Sequence, residues 1–243
     1  MSASEEPAAG CGCGEQSPKP RNITWDVTEL FIGYVLILAA IWTPRPLQYW
    51  LCFVALSWFI TSISISFESW KALGCCVAGF WRSSWIIGLA LLLAGAATWV
   101  AAAIHTLHHP GAPFRWVITF GGYAIWALFQ QLLFQGYFFA RALRLIPNPN
   151  VAALLAASVF ALAHLPNPVL TPLTLVWGLT ACLVFIRSRN VYPLAMAHAI
   201  FGICVAIASV VQLAFTAGSL LYSHEANSAS IIGLSGARLV SNW

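Results

Sequence analysis

Side chains able to do chemistry are few in this chain, and they occur in three short, otherwise apolar segments. The first holds the adjacent amides Gln130 and Gln131, with Gln135 four residues beyond the second. The second ends in His164, and the third contains His198. Imidazoles exchange protons near neutral pH, whereas amides only donate and accept hydrogen bonds. The segments therefore predict either a hydrogen-bonded helix junction or a polar site whose proton transfers depend on the two histidines.

The rest of the chain indicates where such a site would lie. Of its 243 residues, 60% are hydrophobic and 7% are charged. Soluble domains are about 25% charged, so this composition predicts a protein that spans the lipid bilayer. It excludes a nucleic-acid binder, a secreted disulfide scaffold and a disordered chain. Polar groups at membrane depth are costly and usually face a cavity or a neighbouring helix.

A spanning helix needs about 20 mostly apolar residues, and the sequence offers seven such windows. They cover about 27–42, 46–66, 84–104, 116–140, 151–165, 169–186 and 191–215. These windows predict an all-α, polytopic membrane protein with a transmembrane domain over 27–217. Residues 1–26 are predicted to form a disordered cytoplasmic tail, and 218–243 a polar C-terminal segment.

Lysine and arginine collect in cytoplasmic loops, and their positions predict the orientation. With the amino terminus inside, eight fall on the inner side and three on the outer side. The inner ones are Lys19, Arg21, Lys71, Arg82, Arg141, Arg144, Arg187 and Arg189, and the outer ones are Arg45, Arg115 and Arg238. The amino terminus is therefore predicted to be cytoplasmic and the carboxyl terminus exoplasmic.

The three polar segments are predicted to meet at one depth. Counted from the inner ends of their spans at 1.5 Å per residue, Gln131, His198 and His164 lie roughly 15, 10 and 20 Å deep. We therefore expect a polar cavity between the fourth, fifth and seventh spans, open to the cytoplasmic side.

Taken in order, the segments resemble the CPBP family of CAAX proteases and bacteriocin-processing enzymes. The family pattern runs Glu-Glu-x-x-Phe-Arg-Gly, then Phe-x-x-x-His, then His-x-x-x-Asn. The matching residues here are Phe134, Gly136, Phe160, His164 and His198, with Pro193 and Ala197 before the last. The resemblance covers about residues 116–210. It implies a membrane-embedded endopeptidase fold and membrane-associated protein or peptide substrates.

The departures from the family pattern fall on its chemistry. Gln130 and Gln131 replace the two glutamates, Gln135 replaces the arginine, and Gly202 replaces the asparagine. The resemblance implies that a glutamate and the second-motif histidine activate water, while the third-motif histidine and asparagine stabilise the oxyanion. Because glutamine cannot act as a general base, a catalytically impaired member is the first interpretation. It would bind membrane-associated protein segments or assist their handling.

Other interpretations remain open at this point. One is an active endopeptidase in which His164 and His198 use a water oriented by the amides. No cofactor is expected, but these histidines form an alternative metal or bis-histidine haem pair. Two further groups could in principle hold a metal ion, one of histidines and one of cysteines. The histidines are instead expected to form an amphipathic ring at the membrane interface, and the cysteines to be free thiols. These groups are His105, His108 and His109, and Cys11 with Cys13.

Overall fold

The computed structural model describes residues 22–77, 79–107 and 113–208, with backbone only for 113–119 and 208. Every regular element in these residues is helical. The elements are α1 (Ile23–Trp42), α2 (Leu47–Ile65), α3 (Phe80–Ser83), α4 (Trp85–Ala103), α5 (Pro113–Gln131), a π-helical segment (Leu132–Phe139), α6 (Ala140–Leu145), α7 (Pro149–Leu162), α8 (Leu170–Ser188) and α9 (Tyr192–Ala208).

Each of the seven predicted spans coincides with a helix, which confirms the all-α membrane architecture. Four helical stretches are long and apolar enough to cross a bilayer: Ile23–Trp42, Leu47–Ile65, Phe80–Ala103 and Leu170–Ser188. Pro149–Leu162 and Tyr192–Ile207 are apolar but shorter. The first three of the long stretches bury only 17% of their apolar windows inside the protein. Most of their apolar surface therefore faces outward, where a bilayer would cover it.

The first helix begins earlier than the predicted span. Asn22 caps it, because the side-chain oxygen accepts a hydrogen bond from the Thr24 amide at 3.0 Å. Residues 23–26, predicted as the end of the tail, are therefore helical. Asp26 in the first turn is buried and bound to Arg144, which explains how a charged residue is accommodated there.

The fourth predicted span is one continuous helical rod made of α5, the π-helical segment and α6. Gly136 lies where a neighbouring loop crosses this rod, and a Cβ there would lie 3.1 Å from the Leu73 carbonyl oxygen. The missing side chain thus allows the loop to approach closely. π-Helical turns are frequent at functional sites, and this one contains Gln135.

Helices α7 and α8 pack closely through small residues. The buried positions of α7 include Ala153 and Ala157, and a Cβ added to Gly178 of α8 would lie 3.3 Å from the Ala157 Cα. Small residues at such crossings let helix backbones approach in membranes. This contact fixes the end of α7, where Phe160 and His164 are found.

The loop 66–79 is fastened to the turn between α8 and α9. The Val191 amide donates to the Gly74 carbonyl at 2.9 Å, and the Asn190 side-chain amide donates to the Cys76 carbonyl at 2.8 Å. Gly79 has φ 88°, and a Cβ there would lie 2.6 Å from the Ser188 carbonyl oxygen. Only glycine fits such a left-handed, crowded position. The start of α3 and the end of α8 are therefore held side by side.

Several predictions concern residues outside the described ranges. They are the tail as far as residue 21 with Cys11 and Cys13, the histidines His108 and His109, the end of the seventh span at 215 and the segment 218–243.

Candidate active site

The three glutamines of the first motif lie at the junction of α5 and the π-helical segment, but in different surroundings. Gln131 and Gln135 are fully buried, whereas Gln130 is half-buried. The period of 3.6 residues per turn predicts that these three amides lie on one half of an α-helix. In the structure Gln130 faces one side of the rod, toward α1 and α2, and Gln131 faces α9.

Gln131 and His198 form a direct hydrogen bond across α5 and α9. The Gln131 Nε2 lies 3.0 Å from the His198 Nδ1. An amide nitrogen can only donate, so Nδ1 accepts and the proton of the neutral imidazole lies on Nε2. The predicted meeting of the first and third motifs is therefore found in the structure, as an amide–imidazole pair.

His164 follows the end of α7, and its ring has the opposite tautomer. Its Nδ1 lies 2.9 Å from the Phe160 carbonyl oxygen, which can only accept. Nδ1 therefore carries the proton, and in the neutral ring the Nε2 has a free lone pair. The site thus combines one imidazole that can accept a proton with another that can donate one.

Two motif phenylalanines separate the histidines. The Phe160 ring lies 5.0 Å from the His164 ring and 6.1 Å from the His198 ring, between centroids. It also stacks on Phe134 at 4.6 Å. The apolar motif residues therefore set the distance between the two imidazoles and limit water around them.

A cavity of about 520 Å³ lies on one side of this aromatic pair. Gln130 and His164 line it, and most of the remaining wall is apolar and comes from α1, α2, the rod and α7. Helix α9, the seventh predicted span, contributes no residue to the wall of this particular cavity. His198 of α9 is bonded to Gln131 instead.

Gly202 replaces the family's asparagine, and the space for that side chain is filled. A Cβ built on Gly202 would overlap the hydroxyl and the ring of Tyr123 from α5. The Tyr123 ring also lies edge-on to His198, with 6.5 Å between centroids. Tyr123 thus occupies the space that a side chain at position 202 would need, a contact that sequence reasoning missed.

Buried polar atoms without a partner mark the same region. Among the described residues, the Gln131 Oε1, both side-chain polar atoms of Gln135 and the Trp177 Nε1 have no hydrogen bond. Buried polar atoms are nearly always satisfied in proteins. The two buried amides Gln131 and Gln135 are therefore only partly satisfied by the described residues around them.

Sequence reasoning also missed a buried ionic cluster just beyond the site. The Arg141 Nε donates to the Glu29 carboxylate at 2.9 Å, and both side chains are almost fully buried. Ser62 donates to the same carboxylate at 2.6 Å, and the Tyr137 hydroxyl donates to the Glu29 carbonyl at 2.9 Å. A second pair joins Arg144 to Asp26 at 2.8 Å. The sequence signal that could have predicted this cluster is Glu29, because an acidic residue in an apolar span needs a basic partner.

The described residues contain no group of three or more histidine, cysteine, aspartate or glutamate side chains placed to hold a metal ion. His105 follows α4, and its predicted companions lie outside the described ranges. His164 and His198 are each bound through Nδ1, which leaves Nε2 of each ring as the atom open to other partners.

The comparison with known families agrees with the motif order. Residues 111–204 match the family model described as Rce1-like, type II CAAX prenyl endopeptidase. No significant match was found to a curated protein or to a solved structure. The matched region contains all three motif segments and the helices that carry them. Residues 111–204 of this membrane-spanning chain are therefore similar to the Rce1-like type II CAAX prenyl endopeptidases.

Proposed function

We propose that this chain is a catalytically impaired family member that binds membrane-associated protein segments and assists their handling. One observation carries the proposal. Gln131 donates a hydrogen bond to His198 at the position where the family has a glutamate. An amide in this place satisfies the imidazole but cannot remove a proton from water.

The third motif supports the same conclusion. Gly202 offers no side-chain donor, and Tyr123 fills the space beside it. Removing one oxyanion donor costs about 10²–10³ in rate where it has been measured. Relative to the family pattern, the chain therefore has neither the glutamate base nor the asparagine donor at these positions, and this supports the proposal of impaired catalysis.

The cavity is suited to an apolar segment. Its volume of about 520 Å³ lies within the usual range of about 300–1,000 Å³ for ligand sites. Gln130 and His164 supply polar atoms on an otherwise mostly apolar wall. Such a surface can take up apolar side chains of a peptide while the amide and the imidazole bind its backbone.

Cys52 provides a test of binding, because it is exposed and lines the cavity. A membrane-associated peptide that occupies the cavity should slow alkylation of Cys52 by a maleimide. The expected slowing is about tenfold when the free peptide is at about ten times its Kd. Mass spectrometry of the alkylated chain measures the rate at each cysteine.

Cys75 is the internal control, since it lies in the loop 66–79 and does not line the cavity. Its alkylation rate should not change with the peptide. Equal slowing at both cysteines, or no slowing at Cys52, would count against binding in the cavity.

A second candidate function is an active endopeptidase that uses the histidines. The opposite tautomers of the two rings favour it, since His164 has a free Nε2 lone pair and His198 a proton on Nε2. His164 would activate a water oriented by Gln130, and His198 would donate to the peptide carbonyl. Cleavage by the unmodified protein that disappears in His164→Ala would establish this function in place of the first.

The orientation is part of the proposal. With eight basic residues on one side and three on the other, the amino terminus is expected in the cytoplasm and the carboxyl terminus outside. A reporter fused after Ser17 should read cytoplasmic, and one fused after Trp243 should read exoplasmic. If both fusions report the same side of the membrane, the prediction of an odd number of spans is wrong.

A further inference from the structure

Three arginines are gathered at one end of the helical bundle, away from the cavity. Arg187 lies in the last turn of α8 and Arg189 follows its end, while Arg82 belongs to the short helix α3. The close approach of Gly79 to the Ser188 carbonyl holds α3 beside the end of α8. Arg82 and Arg187 are exposed, and Arg189 is half-buried.

Among the residues that the structure describes, the acidic side chain near these arginines is Glu68, and it is already engaged. Glu68 lies 3.5 Å from the Arg144 guanidinium, and it also interacts electrostatically with Arg189. One carboxylate cannot neutralise Arg144 and the three arginines of the surface together. The described part of this surface therefore keeps a net positive charge.

Exposed tryptophans occur close to Arg82 in the sequence, in the loop before α3 and in α3 itself. Trp81 is 85% exposed and Trp70 is 58% exposed, and Trp70 packs on Phe67 with 5.1 Å between ring centroids. Arg82 precedes the first residue of α4 by three positions, which is about 5 Å at 1.5 Å per residue. Tryptophan near a span end marks the headgroup layer.

We propose that Arg82, Arg187 and Arg189, with Trp81 beside them, form a binding site for the phosphate of an anionic phospholipid headgroup. Guanidinium groups bind phosphate through paired hydrogen bonds, and basic clusters between spans at the inner surface bind anionic headgroups. A lipid is favoured over an acidic protein because the arginines sit at span ends, where headgroups surround them. Trp81 would pack against the glycerol and upper acyl region of the same lipid.

The test uses quenching of Trp81 fluorescence by dibrominated lipids in vesicles that contain the full chain. Because the chain has 12 tryptophans, the Trp81 signal is taken as the difference from Trp81→Phe. Brominated phosphatidylglycerol should quench this signal at much lower mole fractions than brominated phosphatidylcholine. Each arginine should favour the anionic lipid over the neutral one about fivefold. Three arginines together should therefore give a preference of about 100-fold at low ionic strength, and high salt should reduce this preference.

The variant Arg82→Gln/Arg187→Gln/Arg189→Asn should remove the preference. Asn is chosen at 189 because the backbone there is left-handed, with φ 46°, a conformation that Asn tolerates. Arg45→Gln is the matched control, since Arg45 lies between α1 and α2, outside this surface, and this variant should keep the preference. If the triple variant does not fold, the single variants should each lower the preference about fivefold.

Three results would overturn the proposal. One is equal quenching by the two lipids in the unmodified protein. Another is a preference that survives the triple variant or falls equally in Arg45→Gln. The third is binding of a polyglutamate peptide in neutral detergent that depends on these arginines while vesicles show no lipid preference, which would make the surface a protein-docking site.

Discussion

Replacement of Arg141 by Met is expected to lower the free energy of unfolding by about 3–5 kcal/mol, because it removes one partner of a buried ion pair and leaves the Glu29 carboxylate in place. The two side chains are 3% and 2% exposed and form a 2.9 Å ion pair. Arg141 also donates to Ser62 and Ser66 at 3.0 Å. Unfolding in increasing concentrations of sodium dodecyl sulfate measures the loss.

Two further variants separate the buried charge from other effects. Arg144→Met removes the ion pair with the buried Asp26, but Arg144 is itself 30% exposed, so water can partly replace it and the variant should cost less than Arg141→Met. Glu29→Gln combined with Arg141→Met should recover much of the lost stability, since the amide can still accept from Ser62 and carries no charge. If Arg141→Met and Arg144→Met are equally mild, the buried pair does not stabilise the fold.

The second large effect concerns peptide hydrolysis. The unmodified protein is expected to show no cleavage of membrane-associated peptides, because Gln130 and Gln131 cannot act as a base. The variant with Glu at 130 and 131, Arg at 135 and Asn at 202 restores the family motifs. A positioned general base contributes typically about 10²–10⁴ in rate, and a gain of that size should be detectable by mass spectrometry of the products.

The structure shows how this restoration must be made. Gly202→Asn by itself should destabilise the protein, because its side chain would overlap the ring of Tyr123. Tyr123→Ala added to the restored motifs should relieve the overlap and open the oxyanion position. Gln130→Glu is the mildest of the changes, since Gln130 lines the cavity, whereas Gln131 and Gln135 are fully buried.

His164→Ala in the restored protein is the control for chemistry. It should abolish the regained cleavage and leave the unfolding transition little changed, because His164 lies beyond the end of α7 and bonds only within its own segment. If the restored protein folds but shows no activity, residues other than these four are also needed for hydrolysis.

Much of the membrane fold could be predicted, because long apolar runs and prolines are local signals. Pro44 and Pro46 lie between the first two helices, as the sequence indicates. Pro147 lies between the rod and α7, and Pro149 is the first residue of α7. The order of the motifs also predicts the family. These features depend on short stretches of sequence and need no knowledge of which helices touch.

The hydrogen-bond and ion-pair partners of the polar groups were harder to predict, because these contacts join residues that are far apart in the chain. Glu29 and Arg141 are separated by 112 positions, and either could have paired elsewhere. The Tyr123 ring beside Gly202 is visible only once α5 and α9 are packed. The side of the helix that each amide faces is equally non-local: Gln130 lines the cavity with His164, whereas Gln131 is bonded to His198.

The π-helical segment determines the directions in which side chains on either side of it point from the rod. Its wider turns hold more residues than those of an α-helix. The segment therefore sets the angle about the rod axis between Gln131, which precedes it, and Arg141, which follows it. An α-helix advances about 100° per residue. Deleting one residue within 132–139 would therefore rotate Arg141 by about that angle relative to Gln131. The amide–imidazole contact and the Glu29 ion pair could then no longer form on the same rod, which makes the length of this segment as constrained as its sequence.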